Sequence, residues 1–174
     1  MSDLRQFIPL NIAVLTVSDT RTEADDSSGG LLVERLKAAG HILAAKQIVP
    51  DDIYRIRAQV SAWIADPSVE VILTTGGTGV TGRDGTPEAV RPLLDKVLEG
   101  FGEMFRFLSY QEIGTSTLQS RALAGVANGT YVFCLPGSKH ACATAWDKLI
   151  QAQLDFRTRP CNLVELLPRL TERR

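Results

Sequence analysis

The residues most able to do chemistry sit in one stretch, Thr74-Thr75-Gly76-Gly77-Thr78-Gly79-Val80-Thr81-Gly82-Arg83-Asp84-Gly85-Thr86-Pro87. Glycine lets the main chain take positive φ and lets a ligand come close to it. Successive N–H groups in such a loop form a concave nest for an anion, and threonine hydroxyls add further donors. Asp84 supplies a carboxylate that could bind a metal ion or act as a base, and Thr86-Pro87-Glu88 reads as a helix start with proline in the first turn. The stretch follows an apolar run, Val69 to Leu73, with the valine and isoleucine content of a buried strand. An anion-binding loop at the carboxyl end of a central strand is the expectation; the plain alternative is a long connection that needs many glycines. Both common nucleotide motifs fail. Gly77-x-Gly79-x-x-Gly82 matches a dinucleotide fingerprint, but the helix waits until Pro87 and the preceding strand is not the first. Gly77-x-x-x-x-Gly82 begins like a P-loop, yet Arg83-Asp84 stand where Lys and Ser/Thr are required.

The elements that position this loop can be read in order. Asn11 to Val17 is nearly all apolar, as in a parallel strand buried on both faces, and Ser18-Asp19 stands at its end. A polar loop continues to Asp26-Ser27-Ser28-Gly29, after which Leu31, Leu32, Leu36 and Ala39 fall at helical spacing before Gly40. His41 to Val49 reads as a second strand, Pro50-Asp51-Asp52 punctuates it, and Ile53 to Ala65 reads as a helix. A β-α-β-α-β order enforces a parallel sheet with helices on both faces. Ligands bind beyond the carboxyl ends of such strands, so Ser18-Asp19, Pro50-Asp51 and the glycine loop share one rim. Further on, Thr86 to Val97 is expected to be helical with a kink or break at Pro92, and Gly100 to Glu103 to turn. Glu103 to Glu112 reads as a helix, and Leu118 to Ala124 as a short one capped from Gly114-Thr115-Ser116-Thr117. Asn128-Gly129 turns into a strand Thr130 to Leu135, followed by Pro136-Gly137-Ser138-Lys139 and a helix from about Ala141 to Gln153. Residues 154–174 read as a tail of a single domain spanning 1–174.

Bulk properties exclude several classes. The 174 residues suffice for one domain with a substantial core, and 44% hydrophobic with 22% charged residues is ordinary for a globular protein. A net charge of −1 argues against a nucleic-acid partner held mainly through phosphates. No apolar run approaches a membrane span and no signal-peptide core begins the chain, so the expectation is a cytoplasmic protein with no membrane partner. Cys134, Cys142 and Cys161 lack the spacing of a disulfide framework or a zinc site.

Several motifs carry a resemblance. Val17-Ser18-Asp19, Asp26-x-Ser28-Gly29, Val49-Pro50-Asp51, Thr75-Gly76-Gly77-Thr78-Gly79, Arg83-Asp84-x-Thr86-Pro87-Glu88, Gly100-Phe101-Gly102-Glu103 and Leu135-Pro136-Gly137-Ser138 span most of the chain. With them it resembles the molybdenum-cofactor biosynthesis proteins of the MoaB/MogA type. Gln119 to Asn128 and Arg157-Thr158-Arg159-Pro160-Cys161-Asn162 look closest to the MoaB branch. The resemblance implies a three-layer α/β sandwich with a mostly parallel sheet that binds molybdopterin. It further implies that the terminal phosphate of molybdopterin is adenylylated by ATP with Mg²⁺, releasing pyrophosphate. Asp51 and Asp84 match the acidic positions and are expected to organise the metal. Thr75, Gly76, Gly77, Thr78 and Gly79 would hold the pterin or its phosphate, with Ser138 on a phosphate at the last helix. Ser18, Asp19, Asp26, Ser28, Gly29 and Gly137 would line the nucleotide side. Capping remains an alternative for Asp51, before the second helix, and for Ser28, before the first. Lys139 replaces a proline common in the family and either contacts a phosphate or sits in solvent.

Two other classes stand beside the adenylyltransferase: a molybdopterin-binding or carrier protein without turnover, and a nicotinamide oxidoreductase resting only on the stray glycine fingerprint. The resemblance also implies a homo-oligomer, trimer or hexamer. Phe101, Phe105, Phe107 and Tyr110 could serve its interface or the core equally.

Overall fold

The computed structural model describes residues 4–172. Six strands form one sheet: β1 (Asn11–Val17), β2 (Ile42–Val49), β3 (Val71–Thr75), β4 (Lys96–Val97), β5 (Leu123–Ala127) and β6 (Thr130–Leu135). Their order is β2-β1-β3-β6-β5-β4; β2, β1, β3 and β6 are parallel, β5 runs antiparallel to β6, and the short β4 runs antiparallel to β5. Strand β1 is buried on both faces, so its alternate residues feed two cores. Ile12 and Val14 face a cluster with Leu32 and Leu36 of helix α1 (Ser27–Ala38), Phe105 of a later helix, and Trp146. Ala13, Leu15 and Val17 face Ile56, Val60 and Trp63 of helix α2 (Ile53–Ala65), together with Ala89 and Val90 of the short α3 (Thr86–Val90). The result is the expected three-layer sandwich. The chain leaves β1 for β2 on one side and β3 on the other, which opens a crevice at the carboxyl ends of β1 and β3.

The first half follows the expected pattern with shifted ends. Strand β3 runs through Thr74 and Thr75, so the loop begins at Gly76, and α1 starts four residues before Leu31, at Ser27. The middle departs further. Helix α3 ends at Val90, and a 3-10 turn, Arg91–Leu93, carries Pro92 into the edge strand β4 rather than continuing to Val97. The expected turn at Gly100 to Glu103 lies inside helix α4 (Glu99–Ile113). No helix spans Leu118 to Ala124: Gly114–Gln119 is 3-10 and Leu123–Ala127 is β5. The reason is the Asn128-Gly129 turn, whose two positive φ values (48° and 81°) fold β5 and β6 into a tight hairpin. Two apolar runs joined by such a turn pair as strands, and that pairing overrides the helical spacing of the first run.

Helix α5 (Lys139–Ala145) continues through a π-helical turn, Trp146–Ile150, into α6 (Gln151–Gln153). Residues 154–172 are not a loose tail. Leu154 is wholly buried, the Tyr131 hydroxyl donates to Leu163 O at 2.7 Å, and Asn162 ties Phe156 O and Thr158 O together. The segment contributes Leu154 and Val164 to the same core as Leu32 and Leu36 of α1 and Trp146 and Ile150 of the π turn. Because its cavity cannot collapse freely, Leu154→Ala should cost about 2–5 kcal/mol of stability in urea unfolding; a loss close to zero would mean the segment is only draped on the domain.

Candidate functional site

A cavity of about 480 Å³ opens at the carboxyl ends of β1, β3 and β6. Its floor is the turn Gly76-Gly77, with φ of +105° and +67°. A side chain at Gly76 would stand 2.1 Å from Val17 O, and one at Gly77 2.3 Å from Thr86 Oγ1 and 2.8 Å from Asp51 Oδ2. Hydrogen bonds lock the turn from both sides: Gly76 N–H donates to Leu135 O (3.0 Å), and the Thr86 hydroxyl donates to Gly76 O (2.8 Å). The Thr75 hydroxyl is spent on Pro136 O (2.9 Å), so Thr75 offers the cavity its backbone rather than its side chain. Arg121 braces the outer arm of the loop. Its Nε donates to Gly79 O (2.7 Å), its Nη2 to Asp84 O (3.2 Å), and its backbone N–H to Thr78 O (3.0 Å).

Three carboxylates border the space. Capping of α2 falls to Asp52, which accepts from Arg55 N–H at 2.9 Å. Asp51 is therefore free to turn inward: its Oδ1 accepts from Gly85 N–H at 3.1 Å, while Oδ2 lies beside Gly77 and accepts no hydrogen bond among the described residues. Burial, and next the charges of Asp84 and Asp19, push its carboxyl above the usual range, although the Gly85 N–H pulls the other way. Asp84 is in a different state. Burial alone would raise it, but the Thr81 hydroxyl (2.7 Å) and amide (2.8 Å), with the Gly79 amide, hold it below its ordinary value. Asp19 is lowered by its pairing with Arg83 and by the Asp51 N–H, which donates to it at 3.0 Å.

Most of the expected site residues come together. Ser18, Asp19, Ser28, Asp51, Thr75, Gly76, Gly77, Thr78, Gly79, Asp84 and Gly137 all line the cavity. Asp26, Gly29 and Ser138 do not. Asp26 is the N-cap of α1, accepting from Gly29 N–H (3.0 Å) and the Thr16 hydroxyl (2.7 Å) and pairing with Lys46 (2.9 Å). Gly29 is packed against that carboxylate. Ser138 caps α5 through Ala141 N–H (3.1 Å), and Lys139 is exposed outside the lining. The lining also contains Thr16, Val17, Arg21, Ser116, Gln119, Ser120 and Pro136, none of them expected as site residues from the sequence. The Ser120 hydroxyl is buried and has no hydrogen-bond partner among the described residues, which makes it an open donor in the wall. Ser120 lies between the 3-10 turn Gly114–Gln119 and β5, where the spacing predicts a short helix. Among the described residues, no three His, Cys, Asp or Glu side chains converge as a metal site. A divalent ion here would need phosphate oxygens to complete its shell.

A three-layer α/β domain with a glycine floor and an acidic rim at its switch point is the class of protein that the fold and site define. Residues 13–155 match the family model described as "Probable molybdopterin binding domain". The chain is 60% identical over 157 residues to molybdenum cofactor biosynthesis protein B of Escherichia coli (strain K12), covering 90% of this chain and 92% of that one. A crystal structure of a molybdenum cofactor biosynthesis protein B superposes with a TM-score of 0.86 at 43% identity, over 95% of this chain and 98% of the other. The tungsten cofactor synthesizing protein MoaB from Pyrococcus furiosus gives 0.80 at 36% identity, over 94% and 98%. The chain belongs to the molybdopterin-binding family, in its MoaB branch.

The raised Asp51 carboxyl has a consequence for stability. A folded-state value above the unfolded one means that its contribution is complete at low pH and is lost as pH rises through the folded value. In metal-free protein with chelator present, Asp51→Asn should therefore melt higher than wild type at pH 7, and the gap should close below about pH 4. A variant that melts lower at pH 7 would show that the carboxylate is needed by the fold itself.

Proposed function

We propose that the cavity binds molybdopterin and adenylylates its terminal phosphate. A phosphate oxygen attacks the α-phosphorus of ATP, the bond from that phosphorus to the β-phosphate oxygen breaks, and pyrophosphate leaves with that electron pair. Asp51 is the observation that carries the reading: a buried carboxylate, released from capping, with one free oxygen aimed at the glycine floor. An acid so placed among like charges is costly without a cation. Mg²⁺ bound there would neutralise phosphate charge and align the reacting groups, chemistry in which positioning outweighs covalent help. The chain's own contribution is to hold the rest still. The Gly76 to Gly79 backbone shapes the seat, Arg121 keeps its outer arm from lifting, and Ser120 Oγ offers the wall a donor. Asp84 supports metal binding less directly than Asp51, since Thr81 already holds one of its oxygens. The names of the relatives, which place them in molybdenum cofactor biosynthesis, support the same reading.

That engagement of Asp84, with Lys139 facing solvent, favours a second reading in which the protein holds molybdopterin without turnover. Calorimetric titration with ATP and Mg²⁺, with and without molybdopterin, run beside a pyrophosphate assay, separates the two. Adenylyl transfer requires pyrophosphate release only when pterin is present, and its loss, by at least a hundredfold, in Asp51→Asn with pterin binding retained. Pterin binding with no response to ATP would leave a carrier.

The oligomer belongs to the same reading. Phe105 is core and Phe101 packs edge-on against Phe133, but Met104, Phe107, Tyr110 and Ile113 are half-exposed along the outer side of α4. A second copy covering that face accounts for the stripe. Light scattering should give a multimer for wild type and a smaller species for Phe107→Asp; a monomeric wild type would end the assignment.

A further inference from the structure

Beyond the seat itself, the cavity mouth carries an ion pair with no evident structural duty. Arg83 donates from Nε to Asp19 Oδ2 (3.0 Å) and from Nη2 to Asp19 Oδ1 (2.7 Å), joining the glycine loop to the end of β1. Asp19 lines the cavity and Arg83 does not. The two partners differ in freedom. Asp19 is also held by the Asp51 N–H (3.0 Å), whereas the Arg83 side chain is 65% exposed and makes no other hydrogen bond among the described residues. Its backbone is anchored just beyond, where Arg121 holds Asp84 O, so the side chain can move while the loop stays in place.

The cavity's charge balance is the second observation. Asp19, Asp51 and Asp84 line it, and the only cationic side chain among the lining residues is Arg21, which donates one Nη1 bond to Asp25 O (3.1 Å). A ligand bearing phosphates would enter a space short of positive charge even with a divalent ion bound. Arg83 is paired to Asp19, itself a lining residue, and a guanidinium offers a phosphate the same two-pronged contact that it gives Asp19. An exposed pair of this kind holds weakly. We propose that Arg83 is a phosphate-binding arm parked on Asp19 in the free protein, and that phosphate entry exchanges one partner for the other. Asp19 then sets how readily the site accepts a phosphorylated ligand, because every binding event must first displace it.

This inference rests on the reading of the cavity as a phosphate site, and the test separates the two. Pyrophosphate binding is measured by calorimetry at fixed Mg²⁺ for wild type, Asp19→Asn, Arg83→Gln and the double variant, with melting temperatures confirming that each is folded. Asn keeps an acceptor for the Asp51 N–H while giving up the ion pair. Freed from its competitor, Arg83 should tighten binding in Asp19→Asn by about two- to fivefold, the range expected of an exposed pair. Arg83→Gln should weaken binding, and the gain from Asp19→Asn should vanish in the double variant. If Asp19→Asn tightens binding equally with and without Arg83, only charge was removed; that result, or an Arg83→Gln protein that binds like wild type, overturns the arm and leaves the phosphate site standing. Wild type that binds no pyrophosphate removes both.

Discussion

The site depends on how closely the backbone at Gly76-Gly77 approaches its neighbours. Val17 O, Thr86 Oγ1 and Asp51 Oδ2 each occupy space that any side chain there would need. Three separate segments are thereby brought to one point: the end of β1, the start of α3 and the connection into α2. Thr86 bonds to both glycines, through its hydroxyl to Gly76 O and its N–H to Gly77 O, and the chain at β6 joins them through Leu135 O. Positive φ at both glycines makes this geometry accessible without strain, which a residue with a Cβ would incur. The cavity is the space left above that junction.

Around this rigid floor the fold tolerates an electrostatic arrangement that does not favour its own stability. Carboxylates that follow three different strands border one cavity, with one guanidinium from the loop paired to Asp19. The protein manages each differently: Asp84 by internal donors, Asp19 by Arg83, and Asp51 by little beyond a single amide. The least compensated acid is the one deepest in the site. Binding sites often hold such residues, since a group already satisfied by the protein has less to offer a ligand. Asp26 makes the contrast plain. It is as buried as Asp51 but is matched by a hydroxyl, an amide and Lys46, and it serves the helix rather than the cavity.

Much of this was readable in the letters where periodicity and punctuation agree. The apolar run Asn11 to Val17, the helix Ile53 to Ala65 and the strand Thr130 to Leu135 appear at the expected residues, because buried parallel strands and amphipathic helices carry strong local patterns. Between Pro92 and Ala127 the helix expected at Glu103 to Glu112 is present within α4, but the flanking segments differ from their local signals because their structure is not local. Leu118 to Ala124 has helical spacing, yet Leu123 to Ala127 pairs across the hairpin with β6, and that partner is invisible within the segment. The letters leave the cap of α2 open between two roles for a related reason. Pro50-Asp51-Asp52 offers two adjacent acids, and only the folded chain shows that Asp52 caps α2 while Asp51 accepts from Gly85 N–H.

The sequence by itself determined the three-layer class, the glycine floor and the acids of the rim, since residue type and strand order already limit where a polar, flexible segment can stand. Only the tertiary structure decided which acid is free. That choice turns on hydrogen bonds between segments far apart in the chain: Gly85 to Asp51, Arg83 to Asp19, Arg121 to the loop carbonyls. It also decided that Ser120 forms a wall and that residues 154–172 close the core. Such contacts depend on packing across the whole domain, and no pattern within one segment encodes them.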